Sequence, residues 1–160
     1  MSPVSPIPPG YHTLTPHLIV SDAKQATEFY KKAFGAEIRG MAHGPDGKVI
    51  HAEMKIGDSI VMFNDEFPAY GVVSPTTTKA STCVTTHMYV EDADKVYNSA
   101  LAAGATVVMP LQDQFWGDRY GTVADPYGHH WSIATHIKDQ TPEEMKAAMD
   151  AAMAQMGSHS

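Results

Sequence analysis

The chain has 160 residues, 43% of them hydrophobic, with 11 basic against 18 acidic side chains and a net charge of −7. That length fits one domain, or two small modules sharing a core, and the acidic balance speaks against nucleic acid and anionic membranes as partners. No apolar run approaches the roughly 20 residues needed to span a bilayer, and a single cysteine, Cys83, excludes an internal disulfide and Cys-rich zinc sites.

Residues 1–10 are Pro-rich and read as an extended segment with neither a basic n-region nor an apolar h-region, so a cytoplasmic protein is expected. Thr13–Val20 reads as a strand, and Ser21-Asp22 as a helix start. The helix is expected over Ala23–Phe34, with Ala26, Phe29, Tyr30 and Ala33 on one apolar face and Gly35 as its stop. Ala36–Ala42 follows as a strand, Pro45-Asp46-Gly47 as a turn, and Lys48–Ile56 with Ser59–Asn64 as a hairpin around Gly57-Asp58. Residues 11–64 thus make one βαβββ module.

Residues 65–81 carry turn formers and read as a linker, after which the pattern restarts in a second module over residues 82–137. Thr82–Val90 is the next expected strand, with Cys83 buried in it, and Asp92 to Ala103 a helix ended by Gly104. Thr106–Met109 and His130–Thr135 read as strands, with a turn at Asp125-Pro126-Tyr127-Gly128. From helix-ending glycine to turn glycine takes 12 residues in the first copy (35 to 47) and 24 in the second (104 to 128). The surplus, Gln112 to Gly121, reads either as a substrate loop or as a longer hairpin with a packed tryptophan. In the C-terminal segment, residues 138–160, Thr141-Pro142-Glu143-Glu144 opens a helix to about Met156. Its Met145, Met149, Met153 and Met156 are spaced as a packing stripe, against the body or against a second subunit.

The two modules share a signature: His17-Leu18-Ile19-Val20-Ser21-Asp22-Ala23 and His87-Met88-Tyr89-Val90-Glu91-Asp92-Ala93 lie 70 positions apart. Paired βαβββ modules, Asp-Ala at each helix start and Asp-Pro-Tyr-Gly-His before the last strand resemble the vicinal oxygen chelate superfamily, the glyoxalase, bleomycin-resistance and extradiol-dioxygenase group. Four segments are similar to PhnB-type glyoxalase-like proteins. They are Pro9-Gly10-Tyr11-His12-Thr13, Phe29 to Ala36, His51-Ala52-Glu53 with Gly57-Asp58-Ser59, and Asp113–Gly121 with Trp131 to His136. The resemblance implies an α+β fold in which paired βαβββ modules form a curved eight-stranded sheet around a cavity, helices outside, as a homodimer. In metal-dependent members, inward residues of each module's first and last-but-one strands hold one divalent ion.

Strand parity says which side chains face that cavity. Leu18 and Val20, Met88 and Val90, Ala52 and Met54, and Trp131 and Ile133 should pack under the helices. That leaves His17, His51, Glu53, His87 and Tyr89 inward, with Ser132, Ala134 and His136 on the last strand. His17, His51, Glu53 and His87 are therefore the candidate ligands for zinc, iron, nickel or manganese. Matching to the glyoxalase pattern puts Thr15 and Thr85 at two ligand positions and, through turn glycines 47 and 128, His51 and Ser132 at the others. His17 and His87 then sit about 7 Å along their strands from the expected centre.

Three functional readings follow. In the first, a divalent ion chelates two vicinal oxygens of a substrate as a Lewis acid, with Glu53 as ligand or as general base. In the second, the protein sequesters a planar small molecule without catalysis, using Tyr89, Phe115, Trp116 and Tyr120 as stacking surface. Arg119 is a candidate substrate anchor there, an ion pair with Asp118 being its alternative role. In the third, a dimer built on the Met-rich helix is itself the functional unit.

Overall fold

A computed structural model describes residues 3–158; the first two residues of the N-terminal segment and the last two of the tail lie outside the described residues. In chain order the elements are β1 (His17–Val20), α1 (Ala23–Phe34), β2 (Glu37–His43), β3 (Val49–Ile56), β4 (Ser59–Asp65), α2 (Pro75–Thr78), β5 (Thr85–Tyr89), α3 (Ala93–Ala103), β6 (Thr106–Asp113), β7 (Asp118–Ala124), β8 (His130–His136) and α4 (Pro142–Gly157). Helix α1 begins and ends where local chemistry dictates. Asp22 accepts from the Gln25 amide at 3.0 Å, and Gly35 adopts φ 65°, which returns its N–H to the Lys31 carbonyl. Asp92 caps α3 in the same way through Lys95.

The eight strands form two four-stranded sheets, ordered β1-β4-β3-β2 and β5-β8-β7-β6. Within each, the first strand runs parallel to the fourth and the other pairings are antiparallel. The register carries the repeat strand by strand, with a one-residue slip between β3 and β7. His17 pairs with Met62 and His87 with Ser132, 70 residues on in both cases. Glu53 pairs with Met62 and Thr122 with Ser132, so β7 is the counterpart of β3.

This corrects the expected insert. Gly128 closes the β7–β8 turn, whose counterpart is Gly57-Asp58, whereas the counterpart of Gly47 is Gly117, 70 residues later. The apparent surplus comes from two turns of similar composition that are not counterparts, and of the two readings of the segment, substrate loop or hairpin, the hairpin is the one observed. Ser132 accordingly corresponds to Met62, not to His51. Strand β7 escapes a pattern search because Gly121 interrupts its alternation. A Cβ there would meet Tyr97 Cε2 at 2.8 Å and Leu111 Cα at 2.9 Å, so only glycine fits.

One core serves both modules. Helices α1 and α3 pack together, and Trp131, 1% exposed, sits 5.7 Å from the Tyr30 ring and 4.8 Å from that of Phe34. The parity expectation for the helix-facing sides is met by Val20, Ala52, Met54 and Ile133, all fully buried, whereas Met88 and Val90 are only partly buried and line a cavity. Cys83 is not; it is exposed ahead of β5, because that strand starts at Thr85 rather than Thr82. Helix α4 carries a complete Thr141–Glu144 capping box but buries no residue.

Candidate functional site

The inward residues of β1, β3 and β4 gather on one face of the first sheet. The His17 and His51 rings stand edge to face at 6.2 Å. His17 Nε2 is hydrogen-bonded to Asn64 Oδ1, and His51 Nε2 to Glu53 Oε1 at 3.1 Å. The second hydrogen bond to Glu53 comes from the Tyr11 hydroxyl, whose ring lies under the Arg39 guanidinium at 5.9 Å. These bonds from Tyr11 and His51 hold the Glu53 carboxyl below its usual range, and the same carboxylate raises the Tyr11 hydroxyl. Tyr11 lies ahead of β1 and was not among the sequence candidates. The Pro-Gly before it, which turns the chain back through a Tyr11 amide to Pro8 carbonyl bond of 3.1 Å, was the available signal.

The corresponding face of the second sheet is aromatic. His87 stacks on Tyr120 at 5.9 Å, meets Tyr89 edge-on at 4.6 Å and shares a 2.6 Å hydrogen bond between Nδ1 and Ser132 Oγ. Trp116 meets Tyr120 at 5.3 Å and Phe115 at 5.1 Å. Beside them Asp118, buried, accepts from Tyr89 Oη at 3.0 Å, Trp116 Nε1 at 3.0 Å and His136 Nδ1 at 2.8 Å. Burial pushes this carboxyl up, but the hydrogen bonds from His136, Tyr89 and Trp116 outweigh it and leave it below its usual value. The imidazole of His136 lies between Asp139 and Asp118, both at 2.8 Å, and is raised by them.

Sequence-based expectations for this region need two corrections. Arg119 is not a free anchor and does not pair with Asp118. Its guanidinium is held by Asp94 at 2.6 Å and Asp113 at 2.9 Å, which raise its already high pKa. The four candidate ligands do not meet: no ring contact, ion pair or hydrogen bond joins His87 to His17, His51 or Glu53. Among the described residues no three His, Cys, Asp or Glu side chains are grouped to hold an ion. These four side chains do not fit a metal centre within one chain.

A cavity of about 550 Å³ opens elsewhere, in the seam between the two modules. Phe34, Ile56, Val61, Met88, Val96 and Trp131 supply its apolar wall. Its rim carries Tyr11, His12, Asp58, His87 and Tyr89, of which only His87 and Tyr89 belong to the candidate set. The Nε2 atom of His87 and both ring nitrogens of His12 have no hydrogen-bond partner among the described residues. Phe115, Trp116, Arg119 and Tyr120 do not reach this cavity.

Two structural residues were also missed by sequence reasoning. Asp125 is a buried carboxylate receiving Tyr30 Oη at 2.6 Å, Trp131 Nε1 at 2.9 Å and the amides of Tyr127 and His129 at 2.9 Å. His129 bonds through Nε2 to the Ile19 carbonyl at 2.7 Å. The Asp-Pro-Tyr-Gly-His string marks the turn but not its distant partners.

Residues 11–133 match the family model described as Glyoxalase/Bleomycin resistance protein/Dioxygenase superfamily. An uncharacterized protein of Mycobacterium tuberculosis H37Rv is 49% identical over 140 residues, covering 86% of this chain and 82% of that protein. The crystal structure of TioX from Micromonospora sp. ML1 superposes with a TM-score of 0.62 at 30% identity, covering 79% of this chain and 99% of that one. A PhnB protein from Bacillus cereus shares the fold, with a TM-score of 0.60 at 22% identity over 78% of this chain and 99% of its own.

Proposed function

We propose, from the premise that the chain belongs to the glyoxalase/bleomycin resistance protein/dioxygenase superfamily, that it binds a small organic molecule in the seam between its two modules. The observation that carries this is the cavity of about 550 Å³ lined by both modules. Its volume lies in the usual range for small-molecule sites, and an apolar wall with a few polar rim groups is their usual composition. Fluorescence titration in a Trp116→Phe background, where Trp131 is the remaining tryptophan, tests it. A ligand of this cavity changes that emission, and Val96→Phe, which fills the wall, weakens it about tenfold. Affinity unaffected by Val96→Phe would place the ligand elsewhere.

Catalysis is a second reading, favoured by one observation. Glu53 holds its carboxylate between Tyr11 and His51, beside the His17 ring. That arrangement keeps the carboxylate ionised and oriented, so that it can take a proton from an acidic substrate group on this face as a weak base. Because the candidate ligands do not converge, no step is assigned to a metal. We also read the protein as a homodimer. Val107, Val108 and Met109 on the edge strand β6 are 52%, 44% and 43% exposed, and Met149, Met153 and Met156 line an open face of α4.

A further inference from the structure

The seam occurs twice in this fold, because the repeat presents each module's first strand to the other module's β-hairpin tip. In each sheet that strand has one free edge. Along a parallel ladder the main-chain groups of alternate residues point the same way. The Met62 amide bonds to Pro16 and the Glu66 amide to Val20, which leaves the Ile19 carbonyl on the free side of β1. Likewise the Val90 amide bonds to Ala134, which leaves the Tyr89 carbonyl on the free side of β5. Ile19 and Tyr89 are counterparts, 70 residues apart.

The two seams are finished differently. At β1, His129 fills the gap and gives its Nε2–H to the Ile19 carbonyl at 2.7 Å. Helix α2 packs against β1, and Pro75 lies against Gly128 so closely that a Cβ there would meet it at 2.7 Å. At β5 the position equivalent to His129 is Ser59, whose short side chain turns back to Asp58 Oδ1 at 3.0 Å. The Tyr89 carbonyl has no hydrogen-bond partner among the described residues, and the space an imidazole would take belongs to the cavity of about 550 Å³.

We propose that this open seam holds a heteroaromatic or phenolic small molecule that donates an N–H or O–H to the main-chain carbonyl of Tyr89, as His129 donates to Ile19 in the closed seam. The proposal rests on the reading that the seam cavity is the ligand site. The lining favours such a molecule in two ways. Its apolar wall, with the Phe34 and Trp131 rings, accepts a flat body. Its formal charge comes from Asp58, with no lysine or arginine among the lining residues, so the ligand is neutral or cationic and not a carboxylate or phosphate.

Benzimidazole and 1-methylbenzimidazole, in which a methyl replaces the donor hydrogen, test the proposal by ligand-observed NMR on the full chain. Benzimidazole is expected to bind about tenfold more tightly, as loss of one hydrogen bond with the acceptor left unpaired predicts. Ser59→His, which installs the side chain that closes the other seam, should abolish binding of both probes, while Ser59→Ala keeps it. If Ser59→His does not fold, Val96→Phe serves the same comparison by filling the wall. Equal affinity for the two probes overturns the hydrogen-bond assignment and leaves the cavity reading standing. Undiminished binding to both Ser59→His and Val96→Phe, or no binding of either probe to the native chain, also overturns it. The broader small-molecule reading fails only if fluorescence titration, too, finds no ligand sensitive to Val96→Phe.

Discussion

The hydroxyl of Tyr30 lies 2.6 Å from a carboxylate oxygen of Asp125, 95 residues away, in a buried contact that ties α1 of the first module to the β7–β8 turn of the second. The same carboxylate is the shared acceptor for Trp131 and two turn amides, so it organises both the turn and the packing of the two halves. Burial and the adjacent Asp125 raise the Tyr30 hydroxyl well above its ordinary pKa, which keeps it protonated and a donor.

Replacing Tyr30 by Phe should cost about 1.5–3 kcal/mol, the range for a hydrogen bond to a charged group. Asp125→Ala should cost more, since it strips partners from the Trp131 indole and two amides at once. Urea unfolding measures both. A Tyr30→Phe loss under about 0.5 kcal/mol would show that Asp125 is satisfied without it.

His136 should titrate above the ordinary histidine value, because Asp139 and Asp118 favour its imidazolium. A raised folded-state pKa gives stability that is complete below the unfolded value of about 6.5 and is lost as pH rises through the folded one. Asp118 acts in the opposite direction: its depressed pKa gives stability present above the unfolded value and lost as pH falls through the folded one. NMR titration of the His136 ring should show the raised value, and Asp139→Asn should lower it. His136→Gln should remove the alkaline limb of the stability profile; an unchanged limb assigns it to another group.

Trp116→Ala should leave the affinity of a seam ligand within about twofold, since Trp116 does not line that cavity. Its effect belongs to stability, because the indole is one of three donors to the buried Asp118. A large affinity loss would move the ligand to the Tyr120 face.

Protein purified without chelators should carry less than about 0.1 equivalent of any first-row metal, because His87 lies on the other sheet from His17, His51 and Glu53 and no three ligating side chains are grouped among the described residues. A full equivalent that disappears in both His17→Ala and His87→Ala would show that the two histidines meet after all, across two chains.

Deleting residues 142–160 should leave the fold intact, as α4 buries no side chain. Light scattering then separates two kinds of dimer. Conversion to a monomer assigns association to the methionine face of α4, whereas a persistent dimer assigns it to the sheets.

Much of the fold is legible locally. Asp22 and Gly35 bound α1 to the residue, and alternation along β1, β3 and β8 separates the helix-facing side chains from the inward ones. The inward candidates His17, His51 and Glu53 do share a face, with His51 and Glu53 hydrogen-bonded. That His17 and His87 stay apart was not legible, because facing inward on a strand does not specify how far apart two sheets stand.

What the sequence determined by itself was therefore everything set within a few residues: caps, turns, strand parity and the existence of a 70-residue repeat. The tertiary structure decided how the copies correspond and which seam stays open. Both depend on hydrogen bonds between distant partners, Glu53 opposite Met62 and His129 opposite Ile19, and no local spacing encodes them. A serine at position 59 and a histidine at 129 look unrelated along the chain. Folding places them at equivalent points, where the difference in their reach leaves one seam filled and the other a cavity.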